Sequence, residues 1–402
     1  MDLQPRGIET VKALLAKGVD IPNPLSLDIG PEVEVEHISG EGVRLYPGCR
    51  IYGARTVICA GVQLGAEGPV TVKDARLGPG AELKAGYAAD SVFLERSAMG
   101  WGGHVREGCL LEEEASAAHC VGLKQTILFP FVTLGSLVNF CDALMAGGTS
   151  RRDHSEVGSS YIHFNFTPAG DKTTPSLFGD VPRGVMLNQP PIFLGGQGGA
   201  VGPVRVGYGS VVAAGSVLRS DVAAGQLAMP GPLPSMQVKV PPADYRSANR
   251  IVAKNLGYLA NLCALQAWYR HVRQPFFAAS PLGALVYAGA VDMLALATKE
   301  RAARLTAMTA KVSDDGGPRT QLRERIGEVL AAYAETPAQP PDAALLTGLR
   351  QAAGDGVGYV AAVQSLGPAQ VEAGSAWLQG IVDGLWATST KLLPALVRMP
   401  RP

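Results

Sequence analysis

A six-residue repeat near the middle of this 402-residue chain constrains its fold more than any other feature. Apolar or small residues recur there at every sixth position, and a small residue directly follows three of them. The repeat consists of Leu194, Ala200, Val206, Val212 and Leu218. Neither an α-helix nor a β-strand has this period, because their side chains repeat about every 3.6 and 2 residues. A six-residue period is typical of a hexapeptide β-helix, in which three short strands form one triangular coil of about eighteen residues.

The same spacing extends the predicted solenoid towards the N-terminus. It recurs at Leu45, Ile51 and Val57, and again at Leu77 and Leu83. Between residues 88 and 135 the repeat is less regular, which we interpret as interruption by loops and substitutions. We therefore predict a β-solenoid over residues 20–237.

One polar, proline-rich stretch of the solenoid region does not fit the repeat. Residues 165–193 are too long for a corner between two strands. We interpret them as an excursion from the coil, and long ordered loops of this kind are often functional.

Helical patterns flank the solenoid. Apolar residues on one face of residues 6–18, including Leu14 and Leu15, predict a short N-terminal helix, and we assign residues 1–19 to a cap of the open coil. A proline-rich bridge leads into residues 243–402, where the apolar spacing is helical and predicts a packed α-helical domain. We expect this domain to cap the other end of the solenoid or to hold subunits together.

Composition and charge exclude several classes of function. Glycine (49) and proline (29) are abundant, yet 47% of the residues are apolar, which suits a folded solenoid with tight corners. The 35 basic and 35 acidic residues balance, so nothing favours binding to nucleic acid or to a membrane surface.

We interpret the acidic run Glu112–Glu114 as a solvated edge. Six scattered cysteines without a CxxC pair favour a reducing cytoplasm, and no His/Cys/Asp cluster has the spacing of a metal site.

Four segments carry a resemblance to a known family. They are VGPVRVGYGSVVAAGSVLRSDV (201–222), SEVGSSYIHFNFTP (155–168), GGTSRRDHSEVG (147–158) and Val138–Phe140. Together they resemble the acetyltransferase domain of the bifunctional UDP-N-acetylglucosamine pyrophosphorylase / glucosamine-1-phosphate acetyltransferase, a hexapeptide-repeat transferase. The resemblance implies a left-handed parallel β-helix, acetyl-CoA or another acyl-CoA as co-substrate, and a homotrimer with active sites between neighbouring solenoids.

The same resemblance implies roles for individual residues. His154 lies at the place of the catalytic histidine, Asn165 and Lys172 lie at or near sugar-contacting positions, and Gly196 and Ala214 match positions where small residues admit coenzyme A.

Chemistry at the residue level adds detail to this assignment. A neutral histidine suits a general base, and Asp153 or Glu156 would orient His154; the alternative is a surface histidine in a turn. Arg151 and Arg152 have the donor geometry that binds phosphate, or they form a solvated basic corner.

The sequence also departs from the family pattern. It lacks the arginine expected near residues 133–136 and the lysine expected near residue 144, and no Gly-rich nucleotidyltransferase loop is present. We therefore do not expect nucleotidyltransferase activity. Two functions stay open: an acyl-CoA-dependent transferase acting on a sugar phosphate or nucleotide sugar, and a non-catalytic nucleotide-sugar-binding or scaffold protein on the same solenoid.

Overall fold

Short parallel strands wind around a common axis in the computed structural model, which describes residues 4–163, 172–237, 239, 245, 247–278, 280–335, 340, 341 and 343–399. Successive coils stack so that each strand pairs with the strand one coil away, giving three ladders. The predicted β-solenoid, with its N-terminal helix and C-terminal helical region, is thereby confirmed.

The first ladder has ten strands in one sheet. They are Arg44–Leu45, Gln63–Leu64, Glu82–Leu83, Ala98–Met99, Ser116–Ala117, Thr133–Leu134, Glu156–Val157, Phe193–Leu194, Val211–Val212 and Leu227–Ala228.

The second and third ladders share two seven-residue strands, Gly122–Leu128 and Asn139–Met145, which bend from one face to the next. The second ladder also contains Asp28–Ile29, Arg50–Tyr52, Val70–Lys73, Gly86–Ala89, Gly103–Val105, Ser160–Ile162, Gly198–Ala200 and Val217–Leu218. The third also contains Val57–Ile58, Arg76–Leu77, Ser91–Phe93, Cys109–Leu111, Ser176–Phe178 and Arg205–Val206.

The six-residue repeat marks the inward positions of these strands. Leu194, Ala200, Val206, Val212 and Leu218 each end a strand, and none is more than 4% exposed. Each coil therefore places one apolar side chain per face on the axis, and stacking the coils joins them into one continuous core.

The irregular stretch between residues 88 and 135 forms ordinary coils, so the expected interruption by loops is not found. Its corners use residues other than glycine in the left-handed region, such as Asp90 (φ 43°), Arg96 (φ 54°) and Glu114 (φ 57°). The pattern looked irregular because only some of these corners, such as Gly102 and Gly108, use glycine, and the spacing between corners varies.

Two coils carry insertions. An antiparallel hairpin, Gly148–Ser150 with Asp153–His154, extends the coil that ends at Glu156–Val157. The predicted excursion 165–193 is itself interrupted, because Ser176–Phe178 pairs with Ala143–Met145 and with the strand Arg205–Val206 as part of the third ladder.

Nine α-helices are found in the described residues. They are α1 (Ile8–Lys17), α2 (Val181–Gly184), α3 (Ala248–Trp268), α4 (Gln274–Phe277), α5 (Gly283–Thr309), α6 (Pro318–Glu335), α7 (Ala343–Gly354), α8 (Tyr359–Gln364) and α9 (Pro368–Leu392). A π-helical segment, Tyr269–Arg273, links α3 to α4. Helix α1 lies against the first strand and buries Val11 and Leu14, whereas Leu15 is 41% exposed. No helix in the described part of the chain is long and apolar enough to cross a membrane.

The C-terminal helices lie along the side of the solenoid. Helix α5 packs on three successive strands of the third ladder, Arg76–Leu77, Ser91–Phe93 and Cys109–Leu111. Glu112 and Glu113 are only 2% and 7% exposed, because the segment Tyr269–Arg273 covers them. The interpretation of this acidic run as a solvated edge is therefore wrong for these two residues.

Candidate functional site

A polar cavity of about 260 Å³ opens where the second ladder turns into the third. The cavity walls include Arg106, Lys124, Asn139, His163 and Lys172 from the solenoid and Glu300 from α5. The parallel register of the strands explains why several of these residues lie together. Lys124 pairs with Cys141 one coil further along, and Asn139, on the same strand as Cys141, pairs with Tyr161 in the coil after that. Outward side chains of consecutive coils therefore meet in one place.

The charges around this polar cavity leave two cations unpaired. Lys124 Nζ lies 2.6 Å from Glu107 Oε1, and Glu300 Oε1 accepts a hydrogen bond from Arg304 Nε at 2.8 Å. Among the described residues, neither Arg106 nor Lys172 forms an ion pair, and the nearby carboxylates of Glu107, Asp142 and Glu300 each pair with another cation. Two cations that form no ion pair with a described residue favour an anionic ligand, and Arg binds phosphate oxygens well.

His163 is the buried imidazole of the cavity wall. Its Nε2 lies 2.7 Å from Ser176 Oγ, and that oxygen also accepts the Val204 backbone N–H at 2.9 Å. The Ser176 hydroxyl can therefore donate to Nε2, which requires that nitrogen to be unprotonated. Burial lowers the pKa of His163 to about 3, so the ring is neutral at physiological pH.

We expect His163 to make stability depend on pH. Below pH 6.5 the unfolded chain binds a proton at this histidine and the folded chain does not, so the free energy of unfolding falls with falling pH. At pH 5 we expect the free energy of unfolding to be about 2 kcal/mol lower than at pH 8 because of this histidine. Urea titrations of the parent and of His163→Gln at pH 5 and pH 8 measure it. An equal pH dependence in both proteins would contradict the buried neutral ring.

The helical domain holds one wall of the polar cavity in place. Arg301, which is 2% exposed, donates to the Lys172 carbonyl at 2.8 Å and to Asp142 Oδ1 at 2.9 Å. Asn255 Nδ2 donates to the Thr173 carbonyl at 3.2 Å. The backbone beside the unpaired Lys172 is thus fixed by two helices from the other end of the chain.

His154 and its neighbouring arginines lie on the inserted hairpin and do not line the polar cavity. Arg151 Nη1 donates to the Glu114 and Phe131 carbonyls, both at 3.0 Å, and to Thr133 Oγ1 at 2.9 Å. This guanidinium fastens the hairpin to the coil. Arg152 is exposed.

The expected carboxylate partner of His154 is not observed. The Asp153 carboxylate accepts from Thr149 Oγ1 at 2.9 Å, and His154 Nδ1 is buried without a hydrogen-bond partner among the described residues.

The remaining predicted residues divide between two places. Asn165 lies outside the described residues. Gly196 and Ala214 lie at one corner in adjacent coils, where the Gly215 N–H donates to the Gly196 carbonyl at 2.8 Å. A Cβ on Gly196 would come no closer than 3.5 Å to Ser159 N, so coil packing does not require glycine there. With Ala214 exposed, these small residues leave an open strip along the coil surface.

Sequence reasoning missed Arg106, Lys124 and Arg301 as site residues. The eighteen-residue coil period could have indicated Arg106 and Lys124, because these two residues are one coil apart and project from the same face of the solenoid. Arg301 gave no such signal, since its contacts join α5 to residues far away in the sequence.

No protein-family model matches this chain. Curated relatives named bifunctional protein GlmU do match. The protein from Pseudarthrobacter chlorophenolicus is 28% identical over 221 residues, or 55% of this chain and 40% of that protein. The relative from Oleidesulfovibrio alaskensis is 27% identical over 216 residues (54% and 42%), and that from Pelobacter propionicus is 30% identical over 217 residues (54% and 42%). The chain thus spans about two fifths of each relative. Over slightly more than half of its length, this β-solenoid chain is similar to the bifunctional GlmU proteins, which confirms the resemblance seen in its sequence.

Proposed function

We propose that this chain is a hexapeptide-repeat transferase that acylates a sugar phosphate or nucleotide sugar, with acetyl-CoA or another acyl-CoA as donor. The observation that carries the proposal is the polar cavity on the solenoid, in which Arg106 and Lys172 lie near Asn139 and form no ion pair with a residue that the structure describes. A phosphate group supplies the anion, and the Asn139 amide suits a sugar hydroxyl. The similarity to GlmU proteins supports the transferase class.

In the proposed reaction an acceptor amine attacks the thioester carbonyl. The new C–N bond forms, the C–S bond breaks, and the amine proton passes to His154 and then to the departing thiolate. A histidine is suited to both transfers because its ordinary pKa lies near neutrality. The acyl-CoA would lie along the strip of small residues at Gly196 and Ala214.

A homotrimer would bring these parts together. His154 does not line the polar cavity of its own chain, so we propose that the base from one subunit acts at the cavity of its neighbour. Helix α5 covers part of the third ladder, and the first and second ladders are then the faces left for subunit contacts.

The test starts with calorimetric titration of acetyl-CoA into the parent and into Ala214→Trp. Binding by the parent that is lost in the variant supports the proposed donor strip. Amino-sugar phosphates and nucleotide-linked amino sugars are then screened as acceptors in the presence of acetyl-CoA.

Variants assign the roles in that assay. His154→Ala is expected to lower turnover roughly a hundredfold or more while the oligomer stays intact. Arg106→Gln and Lys172→Gln are each expected to weaken acceptor binding about tenfold or more, because each removes a charge-assisted hydrogen bond. Lys12→Gln, on the exposed surface of α1, is the charge-matched control. Full turnover in His154→Ala overturns its assignment, and acceptor binding without any turnover favours the non-catalytic alternative.

A further inference from the structure

The polar cavity continues into a slot on the outer face of the second ladder, and we propose that this slot binds the base of a nucleotide. The slot lies over Gly122, between the His104 ring in the coil before it and the Asn139 side chain in the coil after it. We call it the base slot. The inference rests on the proposed function and narrows it, because it makes the acceptor a nucleotide sugar and not a sugar phosphate.

One wall of the base slot is a pair of stacked rings. Tyr87 and His104 pair in adjacent coils, and their ring centroids are 5.0 Å apart with an angle of 20° between the ring planes. This separation is close to the distance of about 4.8 Å between neighbouring strands, so the rings stack along the solenoid axis. Tyr87 covers one face of the His104 ring, and the opposite face is turned towards the coil of Gly122. Because His104 is exposed, this second face can receive a ligand.

The floor of the base slot has no side chain. Gly122 takes the position between His104 and Asn139, so these two residues are two strand spacings, or about 9.5 Å, apart. A flat ring in contact at about 3.5–4.0 Å on each side fits into this gap. The φ of Gly122 lies outside the left-handed region, and among the described residues a Cβ there would meet only Asn139 Oδ1 within 4 Å, at 3.4 Å. Coil packing therefore does not require a glycine at this position.

The base slot and the polar cavity lie on one face of the solenoid and share Asn139. Side chains alternate along a strand, so His104 and Arg106 point outwards on either side of the buried Val105. The two outward residues are about 7 Å apart along the chain, a distance that suits a base and the phosphate joined to it through a ribose. Arg106, which forms no ion pair with a described residue, can therefore meet the first phosphate while the base stacks on His104.

The cations alone do not distinguish the possible acceptors. Sugar phosphates and nucleotide sugars both carry phosphate, so Arg106 and Lys172 suit either of them. Stacking on an aromatic side chain strengthens the binding of a base, and it tolerates purines and pyrimidines because every base has a π-face. The stacked rings of Tyr87 and His104 are thus the feature that favours a nucleotide.

Two positions test the base slot without changing the cations. Gly122→Val fills the slot with a residue that suits a β-strand. Gln63→Val is the matched control, because it places the same side chain at an exposed outward position of the first ladder. His104→Ala removes the stacking ring, and His104→Phe restores an aromatic ring at the same place.

The experiment is calorimetric titration of the full chain with UDP and ADP as nucleotide probes and with pyrophosphate as a probe that lacks the base. We expect Gly122→Val and His104→Ala each to weaken binding of the tighter nucleotide about tenfold and to leave pyrophosphate binding unchanged. Gln63→Val and His104→Phe are expected to bind both kinds of probe like the parent. Arg106→Gln is expected to weaken the nucleotide and pyrophosphate alike, because both present phosphate to it.

Two results would overturn the proposal, and they separate it from the proposed function. If nucleotide binding is unchanged in Gly122→Val and His104→Ala but is weakened in Arg106→Gln, the phosphate site stands and the base slot is refuted. If neither nucleotide nor pyrophosphate binds the parent, the polar cavity is not a phosphate site and the proposed function fails together with the base slot. Should Gly122→Val not fold, the comparison of His104→Ala with His104→Phe decides the question.

Discussion

Replacing Arg273 with methionine is expected to lower the free energy of unfolding by about 3–5 kcal/mol. The substitution keeps most of the side-chain volume but leaves the Glu113 carboxylate buried without its cation, since the Arg273 and Glu113 side chains are 1% and 9% exposed. It also removes the contact of the guanidinium with the Tyr359 ring. Urea unfolding followed by circular dichroism measures the loss.

A double variant separates the lost charge pair from lost packing. Arg273→Met combined with Glu113→Gln removes both charges, so we expect it to recover a large part of the stability lost in the single variant. The exposed pair Arg323–Asp314 provides the comparison, and Arg323→Met is expected to cost less than about 1 kcal/mol. A cost for Arg273→Met as small as that of Arg323→Met would show that the buried pair does not hold the helices to the solenoid.

Glu112→Gln is expected to change how stability depends on pH. Burial raises the pKa of Glu112 to about 7, against the opposing effect of the Arg273 charge, from an ordinary value of 4.5. Between these values the folded chain holds a proton that the unfolded chain has released. The free energy of unfolding therefore falls as pH rises through this window, by about 3 kcal/mol, and the contribution is constant above it.

The measured quantity is the difference in unfolding free energy between Glu112→Gln and the parent at several pH values. We expect it to shift by about 3 kcal/mol in favour of the variant between pH 4.5 and pH 8. His163 acts in the opposite direction over part of this range, but it is present in both proteins and cancels in the difference. A difference that does not change with pH would show that Glu112 is already ionised throughout.

The solenoid could be predicted because its signal is local. Every coil must place an apolar residue on the axis, so Leu194, Ala200 and Val206 repeat at six-residue intervals whatever the rest of the chain does. Where corners use residues such as Asp90 or Arg96 instead of glycine, the coil persists although the pattern fades.

The candidate site could be predicted only in part. Lys172 was found through the family resemblance and does line the polar cavity. Arg106 and Lys124 also line this cavity, because the register between adjacent strands places them side by side. The two residues lie in different coils, so no single sequence motif includes both. His154 would approach this cavity only in the proposed trimer, and the sequence pattern of one chain does not show how subunits assemble.

By itself, the sequence determined the β-solenoid, the helix before it and the helical region after it, because periodicity and corner residues act over a few neighbouring positions. Only the tertiary structure decided that the helices lie along the third ladder. Their packing buries Glu112 and Glu113 against Arg273 and fixes Lys172 through Arg301. Glu113 and Arg273 are 160 positions apart. Burial and charge pairing over such a distance depend on which surfaces meet, and no local pattern records that.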